Sequence, residues 1–143
     1  MNAIVATRMS GRLRWHRHWV VLGALLTAAV ACVALMPAWR YLIHLALTFP
    51  AGDKWLHALS FAGLLLWWGN VYRHPRSRLA AAAVCLAFGL LIEFAQWPSA
   101  PDDADGFDVL ADLAGLALAL GLLRTPLGTV LAGVEARLGS GFR

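Results

Sequence analysis

Seven polar residues with the chemistry for a working site stand at the ends of the apolar segments of this chain. They are Asp53, Lys54, His57, Glu93, Gln96, Asp108 and Asp112. Carboxylate and imidazole groups together can carry out general acid–base chemistry. The ammonium of Lys54 suits contact with an anionic head group. Ionisable residues inside apolar segments are costly, and by default they face the interior of a helix bundle and mark function.

Six of these residues form three pairs with helical spacing. The pairs, each three or four residues apart, are Asp53 with His57, Glu93 with Gln96, and Asp108 with Asp112. Residues three or four apart on a helix lie on one face. Each of three helices is therefore expected to present one polar face near one of its ends.

The composition restricts the class of protein. The chain has 143 residues, of which 60% are hydrophobic and 14% charged. A small soluble domain has too little interior to bury that much apolar surface, and a disordered chain lacks such hydrophobicity. Two cysteines do not make a disulfide scaffold, and charged heptad flanks for a coiled coil are missing. The sequence therefore predicts an integral membrane protein with membrane lipids as its surroundings. No nucleic-acid partner is expected, since the arginines flank apolar segments and form no stripe.

Four apolar stretches are the candidate spans: Trp19–Met36, Trp55–Tyr72, Leu79–Trp97 and Val109–Leu123. A transmembrane helix needs roughly 17–25 residues, so the first three fit and the fourth must borrow a turn. A cleaved signal peptide ending before Cys32 is an alternative for the first stretch, but its apolar run exceeds the usual length. The predicted fold is all-α and polytopic, with four transmembrane helices.

The distribution of basic residues predicts the orientation. Ten arginines fall on one side, at positions 8, 12, 14, 17, 73, 76, 78, 124, 137 and 143, against Arg40 and Lys54 on the other. The positive-inside rule then places both termini in the cytoplasm. We expect a basic tail over residues 1–18, the membrane domain over 19–123 and a cytoplasmic tail over 124–143. All seven polar residues then lie at outward helix ends.

Four further expectations concern packing and short segments. Small residues continue the polar faces and predict interior contacts; they are Ala82, Cys85, Gly89, Ala111, Gly115 and Ala119. The run Leu64–Trp68 is expected to face lipid or a partner in part. Tyr41–Phe49 is predicted as a short helix in the outer interface. The apolar stripe in Leu127–Leu138 fits either a helix on the inner surface or a frayed tail.

The ordered motifs resemble the VanZ-like family. That family carries D-K-x-x-H, E-x-x-Q and D-x-x-x-N-x-x-G, and this chain has Asp53-Lys54 with His57, Glu93 with Gln96, and Asp108 with Asp112 and Gly115. The resemblance covers about residues 50–123, half of the chain. Asp112 replaces the usual Asn, and the stretch before Asp108 lacks the usual Arg. The resemblance implies a bacterial cytoplasmic-membrane protein, in a family whose named member is linked to low-level teicoplanin resistance.

Several functions remain open on these residues. The protein binds or modifies a lipid-linked or amphiphilic envelope molecule at the outer face, or it is a non-enzymatic assembly factor whose polar cluster is a structural clasp. A proton-linked carrier is the third reading, and the placement of the ionisable groups at one end argues against it. The sequence decides neither catalysis nor oligomeric state.

Each candidate residue also has a simpler structural explanation. Asp53 and Asp108 can act as helix caps, and Lys54 can anchor at the interface. His57 can be an interhelical hydrogen bonder, Glu93 can pair with Lys54 or His57, and Asp112 can be a structural partner in the same network.

Two site chemistries find little support in the sequence. A nucleophile at Ser60 beside His57 rests on common helical neighbours alone. A metal held by His57, Asp53, Glu93 and Asp112 is chemically allowable, but no recognised ligand spacing supports it. The sequence therefore predicts no metal and no cofactor.

Overall fold

The computed structural model describes residues 13–38, 42, 48, 51–97 and 106–140. These residues form five α-helices: α1 (His16–Leu35), α2 (Gly52–Val71), α3 (Pro75–Gln96), α4 (Gly106–Leu122) and α5 (Val130–Ser140). A 3₁₀ turn over Pro126–Thr129 precedes α5. The described part of the chain contains no strand, so the all-α prediction is confirmed.

Two helices, α1 and α3, have the length and apolar composition to cross a membrane. A third candidate joins α4 to the segment Pro126–Gly139, and the chain bends by 80° between the two. Helix α2 has 20 residues, about 30 Å of length, but its polar residues lower its hydropathy. The structure thus supports a membrane protein with two or three candidate spans.

Helix α2 is the central helix and packs against α1, α3 and α4. The main core lies between α2, α3 and α4, with Leu65 and Ala119 fully buried and Phe61 and Leu116 nearly so. The expectation that the run from Leu64 faces lipid is wrong for Leu64 and Leu65, which are buried. The reason is that α2 has a neighbour on several sides, so its long apolar run packs against other helices.

The tryptophans that end this run also contact α1. The indole nitrogen of Trp67 donates to the carbonyl oxygen of Trp19, and that of Trp68 donates to Oγ1 of Thr27. Both tryptophans are half-buried. They fix α1 against the side of α2 that α3 and α4 leave open.

Small residues let α2 and α4 approach closely. A Cβ built on Gly115 overlaps the carbonyl oxygen of Ala58 in α2, and Ala119 one turn later is fully buried. On α3, Gly89 and Cys85 are buried as well. The predicted interior position is confirmed for these four small residues, whereas Ala82 and Ala111 are half-buried.

Two polar side chains join the helices at the end opposite the predicted site. The guanidinium of Arg78 donates to the carbonyl oxygens of Gly69, Leu123 and Gly128, at 2.7–2.9 Å. The amide of Asn70 donates to the carbonyl oxygen of Leu127 at 2.9 Å. These bonds satisfy carbonyl groups that helix ends leave without intrahelical partners.

Helix α5 attaches to the start of α1 through Glu135. Its carboxylate accepts hydrogen bonds from the backbone N–H groups of Arg14 and Trp15 and from the indole of Trp19, at 2.7–2.8 Å. Partial burial disfavours the charged form, but these hydrogen bonds outweigh it and lower the pKa of Glu135. Leu131 packs against Leu13 in the same contact. Of the two alternatives left open for the tail, the structure has the helix.

Two predicted segments lie almost wholly outside the described residues. They are the interfacial helix over Tyr41–Phe49, of which only Leu42 and Thr48 are described, and most of the stretch before Asp108, of which residues 98–105 are not described. The basic residues before position 13 also fall outside.

Candidate functional site

The first turns of α2, the last turn of α3 and the first turns of α4 meet at one end of the bundle. Consecutive helices run in opposite directions, so α2 and α4 begin at the end of the bundle at which α3 ends. The contact between Gln96 and α1 places the end of α1 there too, since the Gln96 amide donates to the carbonyl oxygen of Ala34 at 2.9 Å. The polar faces that the sequence predicts near the ends of three helices therefore lie at one end of the bundle.

Lys54 links α2 to α4 at the rim of this end. Its Nζ lies 2.6 Å from Oδ1 of Asp108 and 3.0 Å from Oδ2 of Asp53. The Asp108 side chain is 7% exposed, whereas that of Asp53 is 46% exposed. The pair with Asp108 is therefore shielded from solvent and the pair with Asp53 is not, so the first contributes more to holding the helices together.

Helix capping explains little of this arrangement. Helix α2 begins at Gly52 with Ala51 at the N-cap position, and Ala51 has a left-handed backbone with φ of 58°. Asp53 therefore lies inside the first turn, where the positive end of the helix dipole favours a carboxylate. The same holds for Asp108, the acidic residue in the first turn of α4.

His57 lies between two carboxylates of α4. Its Nδ1 is 3.0 Å from Oδ1 of Asp112, and its Nε2 is 3.7 Å from Oδ2 of Asp108. Asp112 is 1% exposed and sits at the base of the cluster. With Asp112 ionised, its carboxylate only accepts hydrogen bonds, and the matching tautomer of His57 carries the proton on Nδ1. The bond orients the ring with Nε2 toward Asp108.

Packing holds Asp112 in this position. A Cβ built on Gly89 of α3 lies 2.5 Å from Oδ2 of Asp112 and 3.0 Å from the ring of Phe61. A larger residue at position 89 forces at least one of these two side chains to move. The small residue on α3 thus has a specific role beside the polar cluster.

Glu93 completes the cluster from α3. Both of its carboxylate oxygens are buried. One of them lies, with one ligand atom each of His57 and Asp108, in a group whose members are all within 4.8 Å of one another. Carboxylates from α3 and α4 and an imidazole from α2 therefore face one point.

The predicted residues thus divide into three sets. His57, Glu93, Asp108 and Asp112 form the centre, in which Asp108 and Asp112 are buried and His57 and Glu93 half-buried, and Lys54 lies at the rim. Asp53 is on the solvent side of Lys54. Gln96 is buried, and its bond to Ala34 joins α3 to α1.

Three polar residues of the opposite end were not anticipated as structural. From the sequence, Arg78 counts only as one of the basic residues that set the orientation, and no role is predicted for Asn70 or Glu135. The sequence carries two signals for these structural roles. Asn70 is a polar residue in the last turn of a span, and Glu135 is a single acid in a basic tail.

Comparison with known proteins adds no relative. No protein-family profile, curated protein or solved structure matches the chain. The resemblance to the VanZ-like family therefore rests on the motifs alone.

Proposed function

We propose that this protein is a VanZ-like protein of the bacterial inner membrane with four membrane-crossing helices. It acts at the outer face on a lipid-linked or amphiphilic molecule of the cell envelope, through the cluster at the ends of α2, α3 and α4. The observation that carries the proposal is the meeting of His57, Glu93 and Asp108 from three helices around one point. A purely structural ion pair needs only two partners. The additional buried carboxylate of Glu93 is not required for such a pair.

The distribution of charge supports an outward-facing cluster. Among the described residues, the arginines lie at the opposite end, at the start of α1, between α2 and α3, in the first turn of α3, after α4 and in α5. Lys54 is the one basic residue that the described part of the chain has near the cluster. By the positive-inside rule, the arginine-rich end is cytoplasmic, and α5, turned 80° from α4, lies across that inner end.

The exposure of the cluster indicates how a ligand approaches. Lys54 is 27% exposed at the rim, and Asp112 is 1% exposed at the base. An anionic head group meets the ammonium first, with the carboxylates and imidazole beneath it. The proposal includes resistance of the teicoplanin type as one outcome of such an activity on envelope molecules.

A structural clasp is the second candidate function, and one observation favours it. The ion pairs Lys54–Asp108 and His57–Asp112 both join α2 to α4, so they stabilise the bundle whatever else they do. In this case the protein is a non-enzymatic accessory or assembly factor. A proton-linked carrier is disfavoured, since apolar residues such as Leu65 and Ala119 fill the core between the two ends.

The test is a susceptibility profile of a deletion strain across envelope-targeting compounds, including glycopeptides. Each strain is complemented with one variant, and membrane protein levels are measured by immunoblot. We expect Glu93→Gln to keep the protein level and to abolish complementation. The matched control is Glu135→Gln, the same chemical change at the opposite end, which is expected to complement. If Glu93→Gln complements fully at a normal protein level, the proposed working site is contradicted, and the structural clasp remains as the proposed function.

A further inference from the structure

We propose that His57, Glu93 and Asp108 bind one divalent transition-metal ion, of the class of Zn²⁺ or Mn²⁺. The inference rests on the proposed working site at this end of the bundle and names the ion that the site holds. This set of ligands differs from the set considered from the sequence. Asp108 is now a ligand, and Asp112 supports the ligand His57 and does not itself bind the ion.

The positions of the ligand atoms fit one ion. One atom of each residue lies within 4.8 Å of the other two. Three ligands at about 2.0–2.2 Å from a tetrahedral Zn²⁺ lie about 3.3–3.6 Å apart. Nε2 of His57 and Oδ2 of Asp108 are already 3.7 Å apart, so the carboxylate of Glu93 makes the largest shift, of up to about 1 Å. One imidazole nitrogen and two carboxylate oxygens are a donor set that these ions accept.

The surroundings of His57 are those of a metal-binding histidine. Its Nδ1 lies 3.0 Å from Oδ1 of the buried Asp112, and in the tautomer that carries the proton on Nδ1 the lone pair of Nε2 is directed toward Asp108. A ligating histidine characteristically donates its other ring N–H to a carboxylate in this way. Lys54 occupies Oδ1 of Asp108, and Oδ2 is the oxygen nearest Nε2. The remaining oxygen is therefore available to the ion.

The charge balance of the cluster also favours a dication. Glu93, Asp108 and Asp112 bring three negative charges close together, and Lys54 supplies one positive charge. With neutral His57, a divalent ion brings the three carboxylates and Lys54 to zero, or to −1 when Asp53, the second partner of Lys54, is counted. In a poorly solvated site, uncompensated like charges are costly. Three protein ligands also leave coordination positions open, at which a phosphate oxygen of an anionic amphiphile can bind beside Lys54.

The experiment uses the full chain in detergent, purified without a polyhistidine tag and stripped with EDTA. Zn²⁺ and Mn²⁺ are titrated separately by calorimetry, and bound metal is counted by mass spectrometry after desalting. We expect one ion per chain and a higher thermal midpoint with the ion. Glu93→Gln and Asp108→Asn each weaken binding at least tenfold, and Asp112→Ala, which removes the support of His57, weakens it by about 10–100-fold.

Two controls keep the result interpretable. Glu135→Gln, at the other end of the bundle, retains one ion at unchanged affinity. Co²⁺ is titrated into the wild type as a spectroscopic probe, and its visible absorption is expected to change on replacement of His57 by Ala. Less than a tenth of an ion per wild-type chain with either metal, or wild-type affinity in both Glu93→Gln and Asp108→Asn, overturns the metal site.

The outcomes of this experiment are separate from those of the proposed function. One ion per chain together with full complementation by Glu93→Gln retains the metal site and refutes the envelope activity. No ion together with lost complementation refutes the metal site and retains the activity.

Discussion

Replacement of Gly115 by Ala tests the close approach on which the polar cluster depends. A Cβ at this position lies 2.8 Å from the carbonyl carbon of Ala58 and 3.0 Å from its Cα, whereas ordinary contact begins at 3.4 Å. The obstacle is backbone and cannot rotate away. Helices α2 and α4 must therefore separate by at least about half an ångström, and overpacking of this kind costs ~1–3 kcal/mol.

The separation reaches the site, because Ala58 follows His57 and Gly115 lies three residues after Asp112. We therefore expect Gly115→Ala to lower the thermal midpoint in detergent and to weaken metal binding in the same sample. The matched control is Gly121→Ala on the same helix, where a Cβ meets no atom within 4 Å. Replacing a helical glycine at an open position stabilises by up to ~1 kcal/mol. Equal midpoints for both variants refute the close packing of α2 on α4.

Three further changes probe the polar contacts at both ends. Arg78→Lys keeps the charge but loses the planar guanidinium that reaches three carbonyl groups. We therefore expect the free energy of unfolding to fall by ~2–4 kcal/mol. The control is Arg76→Lys, for which the expected change in this free energy is near zero. The hydrogen bonds of Glu135 lower its pKa, so its stabilisation is complete above the ordinary glutamate pKa of 4.5 and is lost as the pH falls through the folded-state value. Tryptophan fluorescence is expected to report this acid transition, and its persistence in Glu135→Gln contradicts the assignment. Lys54→Met leaves Asp108 buried without the ammonium group that pairs with it. Adding Asp108→Asn is therefore expected to recover part of the lost stability, with a coupling of ~1–3 kcal/mol in a double-mutant cycle. Strict additivity of the two changes contradicts a shielded Lys54–Asp108 pair.

The sequence alone predicts the helices and the convergence of the polar faces well. Helical spacing places His57 one turn after Asp53 and Asp112 one turn after Asp108, and the arrangement of the helices follows from the order of their ends. The small residues at 89, 115 and 119 predict which faces are interior, because a close approach requires them. These features depend on local spacing and are therefore readable from one chain.

The features that the sequence does not predict depend on how the helices are arranged around α2. Leu64 and Leu65 belong to an apolar run that suits lipid as well as a core, and only the central position of α2 buries them. The partners of Arg78 are backbone carbonyls of three distant segments, which leave no pattern in side-chain types. The ligand set His57, Glu93 and Asp108 comes from three helices, so no short spacing motif encodes it.

The account depends most directly on the cluster facing outward, and cysteine labelling in intact cells measures this. In a Cys32→Ser, Cys85→Ala background, single cysteines replace exposed Phe107, beside the cluster, and exposed Arg124, at the opposite end. A membrane-impermeant maleimide is predicted to label position 107 in intact cells and position 124 only after lysis. Labelling of position 124 from outside, with position 107 protected until lysis, contradicts the account.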